Sequence, residues 1–112
     1  MKPSAEELVR RAAAAFNAGR RDEAQQICEQ GLARDPGEPM LSHLLAAVLF
    51  SSNETALARP HIEASLKTRA GYAPALALAG RIARAEKDFD AALAHFDRAI
   101  ALAPQRELFV EQ

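Results

Sequence analysis

Three stretches of the chain overlay one another at a spacing of 34 residues, and this register restricts the fold more than any other feature. "RRDEAQQICEQGLARDP" (20–36), "ETALARPHIEASLKTRA" (54–70) and "DFDAALAHFDRAIALAP" (88–104) align without a gap. Ala24, Ala58 and Ala92 coincide, as do Cys28, Ile62 and Phe96. Gly31, Ser65 and Ala99 follow, then Leu32, Leu66 and Ile100. The order is small, large, small, large at i, i+4, i+7 and i+8, which is one face of a helix. Small residues let that helix lie close to a partner, and large ones fill the gaps. A unit repeated at this period buries its face by stacking on its neighbours.

Strand signals are nearly absent, and the strong helix formers Ala, Leu, Glu and Arg dominate. The pattern predicts six helices, at 5–18, 22–34, 39–52, 55–68, 73–86 and 89–102. Their short connections imply antiparallel neighbours. Gly19 and Asn53 suit the left-handed residue that ends a helix. Asp22, and Asp88 or Asp90, are expected to cap the helices they precede. Pro36 and Pro104 stop helices 2 and 6. Pro60 falls inside helix 4, where a mild bend is expected.

This register resembles the tetratricopeptide repeat family. In the third copy Leu76, Gly80, Phe89, Ala92, Phe96, Ala99 and Pro104 fall at family positions. The first copy matches at Leu8, Ala12, Gly19, Ala24 and Pro36, with Ala15 where an aromatic is usual. The second matches at Leu45, Ala46, Ala58 and Ile62, with Ala70 in place of proline. The resemblance implies an all-α fold, a right-handed superhelical stack of antiparallel helix pairs. It divides a single domain, 1–112, into repeats 5–38, 39–72 and 73–106. In 107–112, Leu108 and Val110 read as the opening of a seventh helix. A solenoid end without a polar cap needs cover. A continuing longer chain, or another copy in a homo-oligomer, would supply it.

Composition excludes several classes of function. Fourteen basic and 15 acidic residues give a formal net charge of -1. There is no electrostatic case for nucleic acid or anionic membrane as a main partner. Eleven of the basic residues are arginine, the usage of a GC-rich bacterial genome. The longest apolar run, Leu44–Phe50, is seven residues, against roughly 20 for a bilayer span. Acidic and basic residues interrupt "MKPSAEELVRRAAAAF", so it is a poor secretory signal. The single cysteine, Cys28, can form neither an internal disulfide nor a cysteine-rich zinc site. A cytoplasmic setting is expected.

No motif reads as catalytic. His95 lies near Asp90 and Asp97 in sequence, but its helical neighbours are Ala91, Ala92, Arg98 and Ala99. A proton relay or metal site fails there on geometry. His95 and His61 share one repeat slot, read as the solvated outer flank of the second helix. Cys28 occupies the slot of Ile62 and Phe96, so it reads as a small buried hydrophobe. No Gly-rich phosphate loop, HExxH or CxxC is present. "NET" (53–55) matches a glycosylation sequon but sits at a helix junction. No enzyme, metal or cofactor is expected.

Helix 3 is apolar on two stripes. Leu41, Leu44, Leu45, Val48 and Leu49 read as its core face, and Met40, His43, Ala47 and Phe50 form the second. A solvated stripe would be charged. In a stack of this family the first helix of each pair lines the concave surface. The equivalent positions are Glu6, Val9, Ala13 and Phe16, beside Asn17, in repeat 1, and Pro74, Ala77, Arg81 and Arg84 in repeat 3. The expected groove therefore has an apolar floor around Phe16, Met40 and Phe50 and a basic end at Arg81 and Arg84. Alternatively, the two phenylalanines serve only to pack repeat on repeat.

Chaperone-binding members of the family grip a carboxylate from these helices. The matching positions here are Val9, Ala13, Leu44, Pro74 and Leu78, none of them polar, so no such clamp is expected. The resemblance implies a protein-interaction scaffold whose partner is another protein or peptide, a helical or extended segment in the groove. A second reading is the N-terminal, substrate-recruiting region of a larger glycosyltransferase- or oxygenase-type enzyme, inactive alone.

Overall fold

The computed structural model describes residues 2–102. It holds six helices: α1 (Ala5–Asn17), α2 (Arg21–Arg34), α3 (Pro39–Ser51), α4 (Thr55–Thr68), α5 (Ala73–Ala85) and α6 (Phe89–Leu102). No strand occurs among the described residues. The boundaries agree with the sequence reading to within a residue. Pro104, Leu108 and Val110, to which the sequence assigned a helix stop and a seventh helix, lie outside the described residues.

Each turn inside a pair has the same construction, because the 34-residue register extends to the backbone. Gly19, Asn53 and Lys87 occupy one slot, and all have positive φ, of 83°, 65° and 66°. The next residue's amide reaches back to close the helix end: Arg20 to Ala15, Glu54 to Leu49 and Asp88 to Ala83, at 2.8–2.9 Å. Glycine and asparagine adopt this conformation cheaply. Lysine does not, and composition gave no sign of it.

The caps differ in detail. Ser4 accepts from the Glu7 amide and Glu38 from the Met40 amide. Asp88 accepts from the Ala91 amide at 3.2 Å, which settles the choice between Asp88 and Asp90. Asp22 is not a cap. Arg20 takes that position without a side-chain capping bond, its guanidinium pairing with Glu23 instead, and Asp22 lies in the first turn, where its charge suits the helix dipole. Pro60 lies within α4.

Consecutive helices pack against each other, and α1, α3 and α5 also touch in series, so the pairs α1–α2, α3–α4 and α5–α6 stack in one row. The small slot is closed at every level: Ala24 and Ala58 have no exposed surface, Ala92 5%. Cys28 and Ile62 are buried beneath the following pair. Phe96, in the same slot, lies against Gly80 instead, where a β-carbon would come within 2.7 Å of its ring. The buried Ser65 hydroxyl donates to the Pro39 carbonyl at 2.9 Å, so this polar group costs little. The core runs as one cluster from Leu8 and Ala12 through Leu41, Leu45 and Leu49 to Leu78 and Ile82. Leu44, read as core, is only half-buried; Ser42 and Ala46 complete the buried face of α3.

Candidate functional site

The second stripe of α3 lies between α1 and α5, half-buried and packed on the core. Met40, His43, Ala47 and Phe50 are all in this intermediate state. At the N-terminal end, Val9 and Met40 line one shallow cleft with Ala5, Glu6, Arg10 and Glu38. At the other end, the Arg81 guanidinium lies 5.3 Å from the centre of the Phe50 ring. Phe16 rests on Ala15, Ala24 and Val48, and Asn17 beside it is exposed. Both phenylalanines therefore pack on neighbouring helices and keep part of their surface open.

Arg84 does not join Arg81. One turn further on, it faces α6, with its guanidinium 5.8 Å from the centre of the Phe96 ring. The basic end expected over the groove is thus a single residue of that pair. A different arginine adds the second charge. Arg69, which closes α4, lies 4.5 Å over the Tyr72 ring and 3.4 Å from the Met40 sulfur. Tyr72 in turn meets His43 edge to face, with 5.5 Å between ring centres. Neither Arg69 nor Tyr72 was legible as a site residue, because both precede α5 in a loop. The available signal was the Arg-x-x-Tyr spacing next to a stripe containing His43.

The electrostatics follow from this burial. Desolvation pushes the His43 imidazole below its ordinary pKa. Its Nδ1 is shielded from solvent and has no hydrogen-bond partner among the described residues. His43 is therefore neutral at neutral pH, and the two positive charges on this surface are held by aromatic faces. Each such contact contributes about 0.5–1 kcal/mol when exposed. What remains on offer is apolar surface with two fixed cations, bordered at the Met40 end by the charged Glu6, Arg10 and Glu38.

The opposite, convex side has a second groove, between α4 and α6 over α5. His95 lines it with Arg59, Glu63, Glu86 and Asp88. The solvated flank expected for His95 is corrected here: the residue is half-buried, and its Nδ1 is shielded and has no partner among the described residues. Asp90 and Asp97 are absent from the lining, but Asp88, seven residues before His95, is on its face. Arg59 pairs with Glu63 and Glu86, both at 3.3 Å. Among the described residues no three His, Cys, Asp or Glu side chains gather to hold a metal ion. Cys28 is fully buried, and burial, with the Glu29 charge, pushes its thiol up to about 12. No described helix is long and apolar enough to cross a membrane.

The tetratricopeptide repeat family model matches residues 73–106. No curated protein matches the chain. Among solved structures, the first tetratricopeptide domain of Spaghetti (RPAP3) bound to the HSP90 peptide SRMEEVD is 23% identical. The match covers 88% of this chain and 79% of that one, with a TM-score of 0.82. MamA from Desulfovibrio magneticus RS-1 is 25% identical, over 90% of this chain and 57% of that one, with a TM-score of 0.80. The Yersinia enterocolitica type III secretion chaperone SycD, solved with a peptide of the translocator YopD, is 15% identical. Coverage is 95% and 81%, and the TM-score 0.82. The chain thus carries a tetratricopeptide repeat at 73–106, and its described helices share the stacked-pair tetratricopeptide fold of these structures.

Proposed function

We propose that the protein is a non-catalytic, cytoplasmic interaction scaffold that binds a helical or extended segment of another protein along α1, α3 and α5. The observation that carries this reading is the second stripe of α3. Met40, His43, Ala47 and Phe50 keep apolar surface open where a solvated helix would carry charge. Arg69 and Arg81, held over Tyr72 and Phe50, flank it. The matching ligand has apolar anchors at helical spacing and acidic residues at both ends. One anchor side chain buried against Phe50 would contribute roughly 1.5–3 kcal/mol. Peptide recognition by RPAP3 and SycD supports this mode of use.

The grip on a terminal carboxylate is not carried over. Val9, Ala13, Leu44 and Leu78 offer no charged or amide group at those positions, and Leu78 is 5% exposed. Affinity should depend on the anchors and internal acidic residues, and tolerate an amidated C-terminus.

Capture from a lysate of the source cell tests the reading. Wild type, a Phe50→Glu/Arg81→Glu variant and a convex-side Glu63→Lys control would serve as baits. Proteins retained by wild type and the control but lost with the double variant are expected. Identical sets on all three baits would eliminate the groove.

A further inference from the structure

The second junction of the stack is built hollower than the first. The 34-residue register pairs Ala79, Ala83 and Ala91 with Leu45, Leu49 and Leu57. Leucine slots where α3 meets α2 and α4 are thus alanine slots where α5 meets α4 and α6. Ile62 and Ile82, in the slots of the smaller Cys28 and Val48, take up part of the room. A cavity of about 140 Å³ remains on the convex side, with these three alanines and two isoleucines in its wall. Space left unfilled in this way costs stability. It is well below the roughly 300–1,000 Å³ of a site for a drug-sized molecule, and suits a single side chain.

The charges around the cavity select that side chain. Glu63, Glu86 and Asp88 line it against one cation, Arg59. Arg59 reaches Glu63 and Glu86 at 3.3 Å, longer than the roughly 2.7–2.9 Å of a tight charge-assisted bond. Glu86 is therefore free to turn to a ligand. Asp88 uses Oδ1 to cap α6 through the Ala91 amide, which leaves Oδ2 available. His95 adds a ring nitrogen, Nδ1, that is shielded and has no partner among the described residues. The wall is aliphatic and the carboxylates outnumber the cation. An unbranched aliphatic stem with a compact cation at its tip meets both conditions.

We propose that this cavity takes a lysine side chain of a partner protein, its stem along Ala79 and Ala83 and its ammonium at Glu86 and Asp88. The site lies on the face opposite the concave groove and does not depend on the peptide reading. A partner held only here would leave the Glu63→Lys bait and stay on the Phe50→Glu/Arg81→Glu bait, so the two readings fail separately. Leu57, in the slot of Ala91, stands outside this cavity.

Titration of the full chain with Nα-acetyl-lysine N-methylamide, followed by two-dimensional amide NMR, tests the site. Saturable shifts at Ala79, Ala83 and Ala91 are expected in the millimolar range. The Nε-acetylated analogue has the same stem without the charge and should cause none. Ala83→Leu and Ala91→Leu each restore a leucine of the first junction, and either should abolish the shifts. The spectra themselves show whether each variant is folded. Asp88→Asn keeps a cap on α6 and should weaken binding about two- to fivefold. No saturable shift in wild type, equal shifts with the acetylated analogue, or undiminished binding to folded Ala91→Leu would overturn the proposal.

Discussion

At the residue scale, slots equivalent in sequence are not equivalent in chemistry. Cys28 fills the slot of Ile62 but carries a thiol that burial pushes up to about 12. In the native state it should react with a disulfide reagent at neutral pH roughly a thousandfold or more slower than in denaturant. Rapid native labelling would show that the α1–α2–α3 junction opens. His43 is the second case. Its imidazole is neutral in the fold, while the unfolded chain takes up a proton near the ordinary value of about 6.5. Stability is therefore lost as pH falls below that value toward the lowered folded-state pKa. The slope is up to about 1.4 kcal/mol per pH unit. His43→Leu should flatten this fall in melts between neutral and mildly acidic pH. An unchanged acid slope would refute the assignment. Burial of His43 was not legible in the sequence, because it depends on Tyr72 folding over from the loop before α5.

At the element scale, the helices were readable because each one is marked twice, by its small–large face and by its ends. Gly19 and Asn53 announced two of the three turns. The third was silent, since lysine has no preference for positive φ and only the register points to Lys87. Lys87→Gly should raise stability by about 0.5–1 kcal/mol, relief of the left-handed strain being partly offset by chain entropy. A thermal melt with no rise, or a fall, would mean that the α5–α6 turn is not strained. Gly80 makes the opposite case. Its missing β-carbon is the space that the Phe96 ring occupies. Gly80→Ala should destabilise by about 1–3 kcal/mol, measured by urea unfolding. The split of Arg81 from Arg84 was beyond periodicity. Three residues apart on a helix they share a broad face, and only the positions of Phe50 and Phe96 send them to different partners.

At the scale of the whole molecule, the stack is a row in which each pair rests on its neighbours, so stability is greatest in the middle. The first helix of the middle pair, α3, buries Leu41, Leu45, Ala46, Val48 and Leu49, while α6 fully buries only Ala92 and Ala99 among its described residues. Amide exchange should be slowest in α3 and faster in α1 and α6. Uniform protection would argue for one cooperative unit. Ile62→Ala, at the junction with α5, should cost about 2–5 kcal/mol. The order of the pairs follows directly from a 34-residue period. What runs along the surfaces did not: the residues of the convex groove around His95 come from α4, α5 and α6. No single repeat copy contains them.

The central claim, recognition of another protein on the concave side, is tested most directly by photo-cross-linking in cells of the source. A benzophenone side chain would replace Ala47 on the concave stripe or, in a second protein, the exposed Leu57 on α4. The account predicts a discrete cross-linked partner from position 47, lost with Phe50→Glu, and none from position 57. Cross-linking to the same partner from position 57 alone would contradict it.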